Sequence, residues 1–139
     1  MAIEGLGRVF NAVLIASAQA VSLRDAQGIT FLVSGADSGV VLTSSATFGG
    51  TYATPGTIIT RKQTNTSTNG TAKWVEATQA ASGTVVCAAG STAFYVDAND
   101  LPAGNEYVKA TAGSTGLITA IVHDLQVQRD PANLAALSA

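Results

Sequence analysis

Short apolar runs alternate with polar and glycine-containing stretches over most of the chain. The runs are rich in β-branched and aromatic residues, and in several of them large apolar and polar positions alternate, as in "AKWVEAT" at 72–78. This pattern is typical of β-strands that bury one face and are joined by turns. The predicted strands lie at 28–35, 39–45, 56–62, 72–78, 83–90, 91–97, 106–112 and 116–129.

The segment 11–26, "NAVLIASAQAVSLRDA", is compatible with two structures. Its alanines favour a helix, whereas alternation would place Val13, Ile15 and Val21 on one face of a strand. We favour the strand, because the rest of the chain carries strand signals.

The spacing of strand and turn signals predicts an all-β fold, a single-domain antiparallel β-sandwich that is jelly-roll-like. Glycines at the end of 28–35 and the start of 39–45 favour a hairpin between these two strands. The polar segment 63–71, "QTNTSTNGT", is predicted to be an exposed loop. The expected division is an N-terminal arm, a sandwich domain and a C-terminal arm, at 1–10, 11–129 and 130–139.

Charged residues make up only 12% of the chain and the net charge is −2, whereas about 25% is usual. Without a basic cluster we expect no binding to nucleic acid or to a membrane surface. No apolar run is long enough for a membrane-spanning helix, and "VLIASAQA" lacks the positive segment that precedes a signal peptide's core. A surface of small uncharged residues instead suits flat contact with another protein.

The only histidine, His123, precedes Asp124 in "GLITAIVHDLQVQR". A histidine beside a carboxylate is a candidate general base, but neighbouring strand residues point to opposite faces, so the two side chains are not expected to bond. No nucleophile motif such as G-x-S-x-G accompanies them. We therefore expect a histidine at the margin of the core, and no enzyme activity.

Other chemistry-bearing residues give weaker signals. Cys87, the only cysteine, lies in an apolar run and is predicted to be a small buried hydrophobe. Four residues of a carboxylate-rich segment could be calcium ligands: Asp97, Asn99, Asp100 and Glu106. Their spacing departs from the EF-hand pattern, so a polar turn is favoured and no metal or cofactor is expected. An alternative sugar-binding face would use Tyr52, Trp74, Tyr95 and Tyr107.

Residues 94–134 resemble small virion structural proteins of tailed bacteriophages. The shared features are an aromatic-Val-Asp strand, an "LPAG" turn, a Tyr-Val strand and a last strand ending near "HDL…QR…PANL". The resemblance implies a protein that decorates the capsid surface of the virion after synthesis in the bacterial cytoplasm. It also implies the major capsid protein as a partner and a homo-oligomer, most typically a trimer, without catalytic residues.

The C-terminal arm is the predicted interface. The Asp130–Pro131 step disfavours continuation of a β-ladder, and ten extended residues span roughly 33 Å, far enough to reach another subunit. The predicted contact residues are Arg129, Asp130, Pro131, Asn133, Leu134 and Leu137.

The favoured function is therefore capsid decoration, in which the protein bridges neighbouring major capsid subunits and stabilises the shell. A tail tube or head–tail connector protein is the first alternative. A carbohydrate-binding β-sandwich module is the second.

Overall fold

The computed structural model describes residues 10–35, 39–67, 69–87, 90–113, 116–127, 131–134 and 136. These residues form ten strands and two short 3-10 turns. The strands are β1 (Phe10–Ile15), β2 (Ala20–Ser22), β3 (Ala26–Ser34), β4 (Val40–Ser45), β5 (Ile59–Asn65), β6 (Val75–Ser82), β7 (Thr84–Val85), β8 (Ser91–Asp97), β9 (Tyr107–Ala112) and β10 (Leu117–Leu125). The turns are η1 (Ala98–Asp100) and η2 (Pro131–Asn133).

The strands form two antiparallel sheets that pack face to face, which confirms the predicted all-β sandwich. The six-stranded sheet has the order β1-β10-β3-β8-β5-β6, and the four-stranded sheet has the order β2-β9-β4-β7. Without the β5–β6 hairpin, the remaining eight strands form two four-stranded sheets, β1-β10-β3-β8 and β2-β9-β4-β7. This is the double Greek-key order of an eight-stranded jelly roll.

The core lies between the sheets and is built by strict alternation. Each central strand directs every second side chain inward, as at Ile29, Phe31 and Val33 in β3. Phe31 lies opposite Phe94 of β8, with ring centroids 5.5 Å apart. Val108 and Leu42 close the core from the four-stranded sheet.

The expected hairpin between 28–35 and 39–45 is wrong. Both segments are strands, but β3 pairs with β8 and β10, whereas β4 pairs with β7 and β9 in the other sheet. The chain crosses from one sheet to the other between them, as Greek-key connections do. Local turn residues do not distinguish such a crossing from a tight hairpin.

Two other expectations are resolved by the structure. The segment 11–26 is strand, as favoured, but it is divided between β1 in one sheet and β2 in the other. The exposed loop expected at 63–71 is only partly right, because β5 continues through Asn65. Residues 63–65 pair with β8, so they are ordered by the sheet despite their polarity.

Among the described residues no helix is long and apolar enough to span a membrane.

Both terminal segments join the sandwich at the same end of the six-stranded sheet. Phe10, where β1 begins, lies opposite His123 near the end of β10. His123 in turn lies opposite Gly28 of β3, and Gly28 opposite Asp97, the last residue of β8. We call the end marked by these four residues the termini end.

Candidate interaction surface

One face of the six-stranded sheet points away from the core and is not covered by the four-stranded sheet. We call it the outer face. It carries two different sets of side chains, one apolar and one polar, at opposite ends of the same strands. The apolar set lies away from the termini end, and the polar set lies at it.

The apolar part of the outer face is formed by β1, β10 and β3. Leu14 lies opposite Thr119, so Leu117 is its diagonal neighbour on the same face. These two leucines are 60% and 61% exposed, respectively. Half-buried Ile121 and Leu32 extend the same face toward the centre of the sheet. Neighbouring apolar side chains on one sheet face are suited to contact with another protein.

The polar part of the outer face is centred on His123. Its Nδ1 lies 3.0 Å from Asp124 Oδ2, and its Nε2 lies 3.0 Å from Thr30 Oγ1. A carboxylate can only accept, so in the neutral ring Nδ1 carries the proton and Nε2 accepts from the Thr30 hydroxyl. Both nitrogens are therefore satisfied and the ring is fixed against the sheet.

The contact between His123 and Asp124 corrects the sequence prediction. Regular strand geometry would direct the two side chains to opposite faces, but Asp124 has φ +54° and is in the left-handed region. This backbone turn brings its carboxylate round to the imidazole. Aspartate tolerates this conformation better than most residues, and nothing in the apolar pattern signals it.

The order carboxylate, imidazole, hydroxyl resembles the connectivity of a hydrolytic triad. Catalysis would also need N–H donors aimed at a developing oxyanion. Thr30 lies within β3, where it is paired with Tyr95 on one side and Ile121 on the other, so the surrounding backbone is engaged in the sheet. The arrangement is suited to fixing the shape of a surface.

Tyr95 forms a flat surface beside His123 in the polar part. Its ring lies directly over Gly28, where a Cβ atom would come within 2.3 Å of the phenolic oxygen, so glycine is required beneath it. The ring also packs against His123, with centroids 4.9 Å apart. Its hydroxyl donates to Asp97 Oδ2 at 3.2 Å, and the residue remains 41% exposed. The result is an aromatic platform bordered by carboxylates.

The pKa of Tyr95 is raised from 10.0 to about 12, first by desolvation and then by the charges of Asp97, Asp124 and Asp100. As pH rises, the Tyr95 hydroxyl is deprotonated in the unfolded chain, where its pKa is lower, before it is deprotonated in the folded one. The stabilisation that Tyr95 gives to the folded state is therefore complete below pH 10 and is lost between pH 10 and about 12. We expect the free energy of unfolding to fall across this window, as measured by denaturant titration at each pH.

Tyr95→Phe is the matched control for this titration. It keeps the ring over Gly28 and removes the ionisable group, so the fall between pH 10 and about 12 should be smaller than in the natural chain. An equal fall in both proteins would show that Tyr95 does not carry the effect.

The carboxylate-rich loop expected as a polar turn follows β8. Asp97 caps η1, accepting from the Asn99 backbone N–H at 2.8 Å. Leu101 is buried in the core and anchors the "LPAG" turn. In the described part of the chain, no three His, Cys, Asp or Glu side chains converge on a potential metal position.

The aromatic residues considered for sugar binding do not share one face. Tyr95 lies on the outer face, whereas Trp74, 48% exposed, precedes β6 at the opposite edge of that sheet. Tyr52 and Tyr107 belong to the four-stranded side, where Tyr52 packs on the Lys109 ammonium at 3.7 Å. A coplanar strip of these four rings is therefore not formed.

The predicted C-terminal interface is only partly covered by the structure. Arg129, Asp130 and Leu137 lie outside the described residues. Pro131 begins the turn η2, in which Asn133 is exposed, and the following Leu134 is half-buried. These six residues stay a prediction, as does the division into arms at 1–10 and 130–139.

Cys87 is buried, as predicted. Burial raises the pKa of its thiol, and its Sγ lies 3.8 Å from the Val85 carbonyl oxygen. The thiol is therefore part of the core near β7.

Leu14 and Leu117 were not among the residues selected from the sequence. The available signal was that β10 is apolar at both odd and even positions up to Val122. One of these sets, containing Ile118, Ala120 and Val122, enters the core. The other remains on the outer face, and this could be recognised only once the pairing and packing of the described strands were known.

A jelly roll is used by viral capsid domains, lectins and cupins alike, so the fold alone does not select a function. The outer face and the resemblance of residues 94–134 are the features that bear on function. No protein-family model, curated protein or solved structure matches the chain.

Proposed function

We propose that this chain is a bacteriophage capsid decoration protein. It binds the outer surface of the shell, bridges neighbouring major capsid subunits and stabilises the lattice through buried interface. It needs no cofactor and no reaction for this role. The shell protein and other copies of the chain are its proposed partners, and the capsid surface of the virion is its proposed location.

One observation carries the proposal. Two of the sequence features that resemble phage virion proteins, the aromatic-Val-Asp strand and the final strand, meet at the termini end of the sandwich. The aromatic-Val-Asp feature ends β8, the "LPAG" turn follows η1, and the Tyr-Val feature begins β9. His123 and Asp124, from the last of these features, lie against Tyr95 of the first. The resemblance thus includes side chains of two strands that contact each other in the fold.

The composition of the outer face also supports a protein partner. Its exposed leucines could form the apolar centre of an interface, and Tyr95 with its neighbouring carboxylates could form a polar margin. Protein interfaces commonly have an apolar centre and a polar rim and are enriched in tyrosine. The low charge of the chain reduces the desolvation required when such a surface is covered.

Leu117→Lys is expected to weaken binding to isolated shells by at least about tenfold, the change that corresponds to about 1.4 kcal/mol. The substitution places a charge in the apolar part of the outer face. Leu117 is 61% exposed, so the sandwich should stay folded. Affinity is measured by titrating purified chain onto shells that lack it and quantifying the bound fraction.

Val86→Lys is the matched control. Val86 is 62% exposed and lies beside β7 and β6, away from β1 and β10. It receives the same charge at the same exposure, and its affinity for shells should stay within about twofold of the natural chain. Equal loss in both variants, or loss in neither, would contradict binding through the outer face.

A carbohydrate-binding role is the second candidate, and the exposed ring of Tyr95 beside Asp97 is the observation in its favour. Aromatic faces and hydrogen-bonding carboxylates are suitable for sugars, although a single platform gives limited area. A glycan array probed with the natural chain and with Tyr95→Ala would test it. Glycan binding lost in Tyr95→Ala, combined with no affinity for shells, would favour this role over decoration.

A further inference from the structure

The four edges of the two sheets differ in how they are protected. β2 and β7 are only three and two residues long, respectively. The Gln79 side chain also forms hydrogen bonds with backbone groups of β7 and of the residue that follows it. Its Nε2 donates to the Thr84 carbonyl at 2.9 Å and its Oε1 accepts from the Val86 N–H at 3.2 Å. Short length and side-chain capping are ways in which proteins prevent edges from pairing.

The edge strand β6 is protected differently. Its pairing with β5 shifts in register between Ile59 and Arg61, which marks a β-bulge or irregularity. It also carries an exposed charge, Glu76. Bulges and edge charges both oppose the addition of another strand.

Only β1 lacks these protections among the four edge strands. It is six residues long, "FNAVLI", with no charge, proline or glycine, and all six residues pair in unbroken register with β10. Its described strand partner is β10 alone. In an antiparallel ladder every second residue directs its N–H and C=O away from the existing partner, so β1 presents a row of groups ready to pair.

The side chains of β1 are compatible with pairing to themselves. A two-fold axis perpendicular to the sheet and passing beside Ala12 sets Ala12 opposite its own equivalent and Phe10 opposite Leu14 of the second copy. These side chains lie on the outer face and are apolar in both copies, and β1 carries no charge that could meet its equivalent. A self-complementary contact of this kind closes at two copies.

We propose that β1 is a homodimerisation edge, at which two copies of the chain join their six-stranded sheets into one continuous antiparallel sheet. This inference goes beyond capsid decoration and does not depend on it. The trimer implied by the resemblance stays a separate prediction, and the two assemblies differ in mass.

Ala12→Lys tests the proposal. Ala12 is exposed, so the sandwich should stay folded, but in the dimer two lysines would face each other across the axis. Sedimentation equilibrium should show a dimer for the natural full-length chain and at least about tenfold weaker association for Ala12→Lys. The matched control is Ala81→Lys on β6, also exposed and also on an edge strand, which should dimerise normally.

Cysteine crosslinking gives an independent measurement. Opposed residues of an antiparallel pair have Cα atoms about 4.5–5.5 Å apart, within the range of a disulfide. Oxidised Ala12→Cys should therefore form a covalent dimer, whereas Ala81→Cys should not, and the natural Cys87 is buried and does not compete. A monomeric natural chain, or a trimer insensitive to Ala12→Lys, would overturn the proposal.

Discussion

Replacing Phe31 with alanine is expected to lower the free energy of unfolding by about 3–5 kcal/mol. Phe31 is fully buried at the centre of the six-stranded sheet, between Phe94 of β8 and Ala120 of β10. Removing the ring costs its transfer free energy and leaves a cavity that strands paired on both sides cannot close. Since domains are stable by about 5–15 kcal/mol, the variant should be marginal. Urea denaturation followed by circular dichroism measures the change.

Val86→Ala provides the comparison for this change, because Val86 is exposed and its truncation should cost no more than about 0.5 kcal/mol. The double variant of Phe31 and Phe94 to alanine should cost less than the sum of the single variants, because the two rings contact each other. A cost below about 1 kcal/mol for Phe31→Ala would contradict the described core.

Gly90→Ala is expected to destabilise the protein by about 2–5 kcal/mol, combining unfavourable backbone conformation with steric overlap. Gly90 has φ +103°, and a Cβ atom would lie 2.2 Å from the Asn65 carbonyl oxygen and 2.7 Å from the Thr66 carbonyl carbon. Its own carbonyl accepts from Gly35 N–H at 2.8 Å, so the segment cannot shift freely. Thermal unfolding of the purified variant measures the loss.

Gly104→Ala separates the two causes. Gly104 also has positive φ, +84°, but a Cβ atom there would meet nothing within 4 Å. Only the conformational cost of about 1–2 kcal/mol should appear. Equal losses of stability in the two variants would show that steric overlap with the end of β5 adds nothing to the cost at Gly90.

Strand positions were largely predictable because alternation and turn residues are local properties. The predicted strand at 91–97 coincides with β8, and that at 106–112 differs from β9 by one residue. The strand predicted at 56–62 lies three residues before the observed β5 (Ile59–Asn65). The second half of β5 is polar and is held by pairing with β8, not by burial of apolar side chains. Residues ordered mainly by backbone pairing leave little trace in a hydrophobic pattern.

Sheet membership was not predictable from the same signals. The glycines flanking 36–38 resemble those of a hairpin, yet β3 and β4 belong to different sheets. A hairpin and a crossing between sheets differ in which distant strands pair with β3 and β4. Such long-range pairing is not encoded in the local pattern of turn residues. The jelly-roll order follows only from the full set of pairings.

The polar part of the outer face was only partly predicted. His123 was expected at the margin of the core, whereas its side chain lies on the outer face, and its bond to Asp124 depends on one left-handed residue. Tyr95 was noted as an aromatic residue, whereas its position over Gly28 depends on the register between β3 and β8. Register is set by the assembled sheet, so juxtapositions of this kind cannot be derived from spacing along the chain.

The location of the chain in the native particle is the most direct test of the proposed function. Electron cryomicroscopy of the intact virion should show the jelly-roll sandwich repeated over the outside of the shell lattice. The outer face of its six-stranded sheet, with Leu14 and Leu117, should lie against the major capsid protein. Density confined to a ring at the head–tail junction or to the tail tube, or particles without this chain, would contradict capsid decoration.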